Sequence, residues 1–174
     1  MRRSTLLVIL SRTREGAEQA LRRVNAWVDA NGLALHPDKT HLGNCLEKGQ
    51  GFEFLGYRFE CGQRWVRKKS LASLKDRIRK RTRRTRGDSM ACIIKDLNRM
   101  LRGWFSYFKH AHRYTFKPLD GFIRRRLRAI LRKQNKRPGF GGCLEDHRQW
   151  PNAFFANLGL FTQYEAFCLA SQSR

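Results

Sequence analysis

Acidic residues are in short supply in this 174-residue chain: 14 Asp and Glu stand against 37 Lys and Arg, a formal net charge of +23. A compact body with that excess repels itself unless a polyanion neutralises it, so nucleic acid is the first expectation and an anionic membrane surface its rival. Long apolar runs are also missing. Leu6 to Leu10 is far shorter than the roughly 18 residues of a spanning helix and too short for a signal-sequence core, so a cytoplasmic protein off the membrane is expected. The five cysteines, Cys45, Cys61, Cys92, Cys143 and Cys168, are odd in number, widely spaced and form no CxxC pair. That pattern reads as free thiols, with neither zinc nor redox chemistry. No HExxH occurs, and His110 and His112, two apart, face opposite ways on a helix, so no metal site and no cofactor are expected. What is present suffices to fold, because 41% hydrophobic and 11% aromatic residues set the chain apart from a disordered basic tail.

The short run Leu6-Leu7-Val8-Ile9-Leu10 reads as a buried strand, although periodicity alone leaves a helix open. Ala17, Ala20, Leu21, Val24, Trp27 and Val28 then recur at helical spacing between a cap at Thr13 and a stop at Gly32, predicting a helix over about 13 to 31. Phe52 to Phe59 alternates aromatic with other residues, and Cys61-Gly62-Gln63 turns toward Trp65 and Val66, the pattern of a hairpin. Residues 64 to 86 hold twelve Lys or Arg and one acid, Asp76, with only Leu71, Leu74 and Ile78 as a thin apolar stripe. That shift marks a boundary near 66 to 70. Two stronger helices follow. Met90, Ile93, Ile94, Leu97, Leu101, Trp104, Phe105 and Phe108 share one face, with Lys95, Arg99 and Arg102 opposite. The next helix is expected to start at Pro118. It places Leu119, Phe122, Ile123, Leu127, Ile130 and Leu131 on one face and Arg124, Arg125, Arg128 and Arg132 on another. Lys136 to Gly142 reads as a loop from its Pro and Gly content, and Trp150 to Ala170 as short aromatic-rich helices.

A single basic helix with an apolar back is most often a solvated surface helix. Here three successive segments share the property, and clustered Arg favours phosphate, because the guanidinium fork makes bidentate contacts and stacks on exposed bases. Arg126 is out of place, since the same angular count puts it inside the apolar stripe. Either its stem lies along the core edge with the head outside, or it pairs with an acid such as Asp120 or Asp96.

Two motifs in fixed order then carry a resemblance. GLALHPDKT at 32 to 40 resembles the segment after the catalytic strand of group II intron reverse transcriptases, and FEFLGYRF at 52 to 59 resembles the primer-grip hairpin that follows it. LNRMLRGWFSYFKHA (97 to 111), LDGFIRRRLRAILRKQNKR (119 to 137) and HRQWPNAFFANLGLF (147 to 161) resemble the maturase domain of the same family. The resemblance implies a thumb that grips template and primer and a maturase domain that binds structured intron RNA and helps it splice. It would place Lys39 near the incoming nucleotide, and Gly56 and Tyr57 near the primer end. Lys39 as a plain surface charge and Gly56 as a hairpin kink are the structural alternatives. One departure bears on enzymology: Arg3, Ser4, Thr5 and Leu6 stand where the family carries the Tyr-Ala-Asp-Asp carboxylates that hold catalytic magnesium.

The expected fold is therefore mainly α, a helical thumb and maturase bundle (67 to 174) preceded by a small α+β palm remnant with a hairpin (1 to 66). The expected function is an RNA-binding module of maturase type, not itself a polymerase, from a truncated reading frame. Its RNA-contacting residues are expected to be Lys39, Tyr57, Arg77, Arg79, Lys80, Arg81, Arg83, Arg84, Arg102, Arg124, Arg125, Arg128, Arg132, Lys136 and Arg137. The alternative is the C-terminal part of an active reverse transcriptase completed by a separate N-terminal chain. A decayed product without a role is the third reading.

Overall fold

A computed structural model of the chain describes residues 7–172. Its elements are α1 (Arg14–Ala30), β1 (Phe52–Phe54), β2 (Tyr57–Glu60), β3 (Gln63–Val66), α2 (Lys68–Arg81), α3 (Met90–Phe108), α4 (Phe116–Gln134), α5 (Leu144–Gln149), α6 (Asn152–Asn157) and α7 (Gln163–Gln172), with one-turn 3-10 helices at Pro37–Lys39 and Arg113–Thr115. The fold is mainly α with a small antiparallel sheet of order β1-β2-β3.

The sheet corrects the reading of 52 to 59 as one alternating segment. It is broken by a two-residue turn at Leu55 (φ 47°) and Gly56 (φ 80°), and a second turn sits at Cys61 (φ 52°) and Gly62 (φ 68°). Positive φ at both central residues is the type I′ geometry whose twist matches paired strands. Two hairpins thus follow one another.

The chain divides into two compact units. The first comprises the chain up to Phe54 together with Phe59–Gly62. Within it, the Thr13 side chain accepts from Gly16 N at 3.1 Å and caps α1 as expected. Gly32 follows the helix at φ 65°. Val28 is buried, but Trp27 on the same stripe is 62% exposed. The strand expected at Leu6 to Leu10 is absent over residues 7 to 10, where Leu7, Ile9 and Leu10 are exposed and no described strand lies alongside to pair with them; Leu6 is outside the described residues. Phe52 and Phe59 stack with centroids 5.0 Å apart.

The second unit comprises Leu55–Arg58 and the chain from Gln63 onward. Its core is the stripe of α3 interleaved with those of α2 and α4: Leu74, Ile78, Ile93, Ile94, Leu97, Leu101, Leu119, Ile123, Leu127 and Ile130 are all at most 2% exposed. Burying ten such side chains supplies roughly 1.5–3 kcal/mol each before the opposing chain entropy. Helix α3 begins at Ser89, whose hydroxyl accepts from Cys92 N. Helix α4 begins at Phe116, two residues before the expected start, so Pro118 still lies in the first turn, where its missing N–H costs nothing. Helix α7 packs back on α4 through Phe116 and Phe167, 5.1 Å apart. Asp120, 3% exposed, accepts from Gln163 N (3.0 Å) and Tyr164 N (2.9 Å), satisfying two amides at the start of α7. Gly56 packs under Phe108, where an added Cβ would lie 3.2 Å from the ring.

Candidate nucleic-acid interface

The arginines of the second unit fall into three groups with different chemistry. The first surrounds the C-terminal end of α2. Arg126 reaches across from α4 and donates from Nε to Thr82 Oγ1 (3.0 Å), and from Nη2 to Thr82 O (2.7 Å) and Arg79 O (3.4 Å). A guanidinium here satisfies the carbonyls that a helix end leaves open and sits at the negative end of its dipole. This resolves the misplaced arginine: it pairs with neither Asp120 nor Asp96 but caps a neighbouring helix, which is why it lies on the core-facing stripe. Burial, and after it the charges of Arg79, Arg125 and Arg84, pull Arg126 below its ordinary pKa. Those three arginines therefore lie near enough to Arg126 to act on its charge. Arg79 and Arg125 stand over the Phe122 ring at 5.4 and 6.0 Å, with Lys75 at 5.8 Å, and Arg84 lies over Phe140 at 5.2 Å. Arg79 also pairs with Asp76 at 2.6 Å. Among the described residues, neither Arg84 nor Arg125 has an ion-pair partner. Like charges held this close attract a polyanion strongly.

The second group is spent internally on Asp96. Arg86 donates to it at 3.1 Å, with Arg81 at 3.6 Å and Arg99 at 3.5 Å, while Arg86 also binds Asp88 and donates to Arg81 O. The Arg86 hydrogen bond, outweighing burial, holds Asp96 below the usual carboxylate range. The loop joining α2 to α3 is thereby tied down by the charges that looked free in sequence.

The third group lies on α4 and corrects the expectation of one solvated arginine face. Arg128 is 2% exposed and donates from Nε to Trp150 O (2.9 Å) and from Nη2 to Asn152 Oδ1 (3.0 Å). Arg132 donates to Pro138 O (2.7 Å) and to Asp146 Oδ1 (2.6 Å). Burial acts to raise Asp146, which is fully buried, but its contacts with Cys143 and Arg132 hold it below the usual range. Both arginines face the strip of chain that folds back over α4, so that strip rather than water covers them. Arg124 is half-buried and Arg125 exposed.

Of the remaining expected residues, Arg77, Lys80, Arg83 and Lys136 are exposed. Arg102 is exposed on α3 with its guanidinium 5.5 Å from the Phe161 centroid. Arg137 is occupied by Glu145 and Gln149. Tyr57 is tied in place, its hydroxyl donating to Tyr107 O (2.6 Å), while the Tyr107 hydroxyl returns a bond to Leu55 O (2.8 Å). Lys39 lies in the first unit, in the turn Pro37–Lys39. Arg3 to Thr5, like Leu6, fall outside the described residues. Among the described residues no cluster of His, Cys, Asp or Glu could hold a metal, and no helix is long and apolar enough to cross a membrane.

Residues 71–150, which run from the first turn of α2 to the residue after α5, match the family model of the group II intron maturase-specific domain. The match supports a group II intron maturase C-terminal region. No curated protein matches the chain in sequence. The maturase-specific domain is distinct from a catalytic polymerase domain, and it contains all three arginine groups.

Sequence reasoning missed the roles of Arg126, Asp120, Asp96 and Asp146, each of which meets a partner far away in the chain. Arg64, Lys109, Arg113 and Lys117, which the sequence reading did not single out, are also exposed, with aromatic residues interleaved among them.

Proposed function

We propose that this chain binds structured group II intron RNA through the maturase-specific domain and assists its splicing, with Arg79, Arg84 and Arg125 at the centre of the contact and Arg77, Lys80, Arg83, Arg124 and Lys136 extending it. One observation carries the reading: in the segment that matches the maturase-specific domain, Arg84 and Arg125 have no ion-pair partner among the described residues, and Arg125 shares the Phe122 ring with Arg79 and Lys75. Such an arrangement suits a phosphate backbone, each contact releasing counterions. Fluorescence anisotropy with a folded group II intron transcript and an unstructured RNA of equal length tests the reading. Tighter binding to the intron transcript is expected, together with faster splicing of the bound precursor. Equal affinity for both RNAs would contradict it.

A further inference from the structure

Away from the arginine cluster, three rings form a ladder that runs from the sheet to the surface. Trp65, near the end of β3, packs on His112 with centroids 4.3 Å apart, and His112 packs on Tyr114 at 4.9 Å. The ladder is built into the backbone: His112 N donates to Arg64 O, and Tyr114 N donates to His112 Nδ1. Tyr114 ends it with 63% of its surface open. Arg113 stands over the same ring at 5.1 Å. Tyr114 is thus held from one side by His112 and left largely uncovered by the fold. The two stretches that supply the ladder carry cations only. No acid occurs between Glu60 and Asp76 or between Asp96 and Asp120, while those intervals hold Arg64, Arg67, Lys68, Lys69, Lys75, Arg99, Arg102, Lys109, Arg113 and Lys117.

We propose that the ladder is a docking site for one unpaired nucleobase of the bound RNA, which stacks on Tyr114 while a flanking phosphate meets Arg113. This rests on the RNA-binding reading above and adds to it which part of the RNA this face selects. A paired base already has both faces stacked within the helix, whereas a base in a loop or bulge offers one to a protein ring. Stacking of this kind recognises any base, so the site selects unpaired structure rather than sequence.

The test uses the full chain, a short oligoribonucleotide containing 2-aminopurine, and the duplex formed with its complement. Tyr114→Leu is expected to weaken single-strand binding on the order of tenfold, and to abolish the quenching of 2-aminopurine on binding, while duplex affinity stays unchanged. Tyr114→Phe keeps the ring and should behave as the parent. The same thermal melt for all three excludes misfolding as the cause. Equal losses on both RNAs, or none on the single strand, would overturn the docking site while leaving general RNA binding intact. If the parent bound neither RNA at low salt, the RNA-binding reading itself would fail. Gln variants of Arg84 and Arg125, which should weaken both RNAs alike, separate the two surfaces.

Discussion

At the scale of single residues, Arg128 is held in the core by the Trp150 carbonyl and Asn152. Arg128→Gln leaves that carbonyl buried without its donor, a loss of about 1–3 kcal/mol. Arg128→Lys should recover little, because a point charge cannot reproduce the fork. Urea unfolding checks both, and RNA affinity measured where the variant is still folded should be unchanged. Titration separates the carboxylates by sign. Asp96 and Asp146 have folded-state pKa values below their unfolded ones, so their stabilisation is present above the ordinary carboxylate pKa of about 4 and is lost as pH falls through the lowered values. For Asp120 burial outweighs the two backbone hydrogen bonds and raises the pKa, so its ionisation removes stability as pH rises above about 4. Asp96→Asn should therefore flatten the acid limb of a stability-against-pH curve, and Asp120→Asn should remove a decline above it. Identical curves for parent and Asp96→Asn would contradict the Asp96 assignment. The pairings of Arg128 with Trp150, Asp96 with Arg86, Asp146 with Arg132 and Asp120 with Gln163 were not legible in sequence, because each joins residues ten or more positions apart, and a helical wheel separates apolar from charged positions but cannot show which charges a returning loop will cover.

At the scale of elements, the loop from Lys136 to Gly142 was readable as a loop but not as a lid over α4. Gly141 is buried at φ 74°, and a Cβ there would stand 2.5 Å from Ala129 N and 2.8 Å from Arg128 C. Gly141→Ala must push backbone from backbone, and should cost roughly 1–3 kcal/mol while loosening the Arg132–Asp146 pair that the loop delivers. Gly103, exposed in the middle of α3 with nothing within 4 Å of a new Cβ, is the counter-case. Gly103→Ala should stabilise by about 0.5–1 kcal/mol. Thermal melts of the two variants should shift in opposite directions. Helices α3 and α4 were legible because their apolar residues hold a 3.6-residue period over five turns. At Leu55-Gly56 the glycine was readable as a hairpin kink, but the two-residue turn was not, because Leu occupies a position with positive φ that Asn, Asp or Gly ordinarily fills. The apolar run at 7 to 10 misled for another reason: a strand needs a neighbour, and composition cannot supply one.

At the scale of the whole molecule, the formal charge of +23 overstates what is free to bind, since Arg14, Arg79, Arg81, Arg86, Arg99, Arg132 and Arg137 all hold carboxylates. Arg84 and Arg125, which have no ion-pair partner among the described residues, both lie in the segment that matches the maturase-specific domain. The purified chain is predicted to extend no primer on an RNA template with magnesium, because the resemblance sets Arg3 to Leu6 where paired carboxylates would hold the metal. Template-dependent extension by a homogeneous preparation would refute that. The most direct test of the account compares the salt dependence of intron RNA affinity for the parent and for the triple variant Arg79→Gln, Arg84→Gln, Arg125→Gln. Gln keeps helix propensity nearly constant, and the Arg79–Asp76 pair that it removes is exposed and contributes little, so the variant should melt close to the parent temperature. The parent should show a log-log slope of about −4 or steeper, and the variant a slope shallower by about 2 to 3 with weaker binding at every salt concentration. A variant that melts like the parent and binds with the same affinity and slope would show that this arginine cluster is ordinary solvated surface and that the RNA site lies elsewhere.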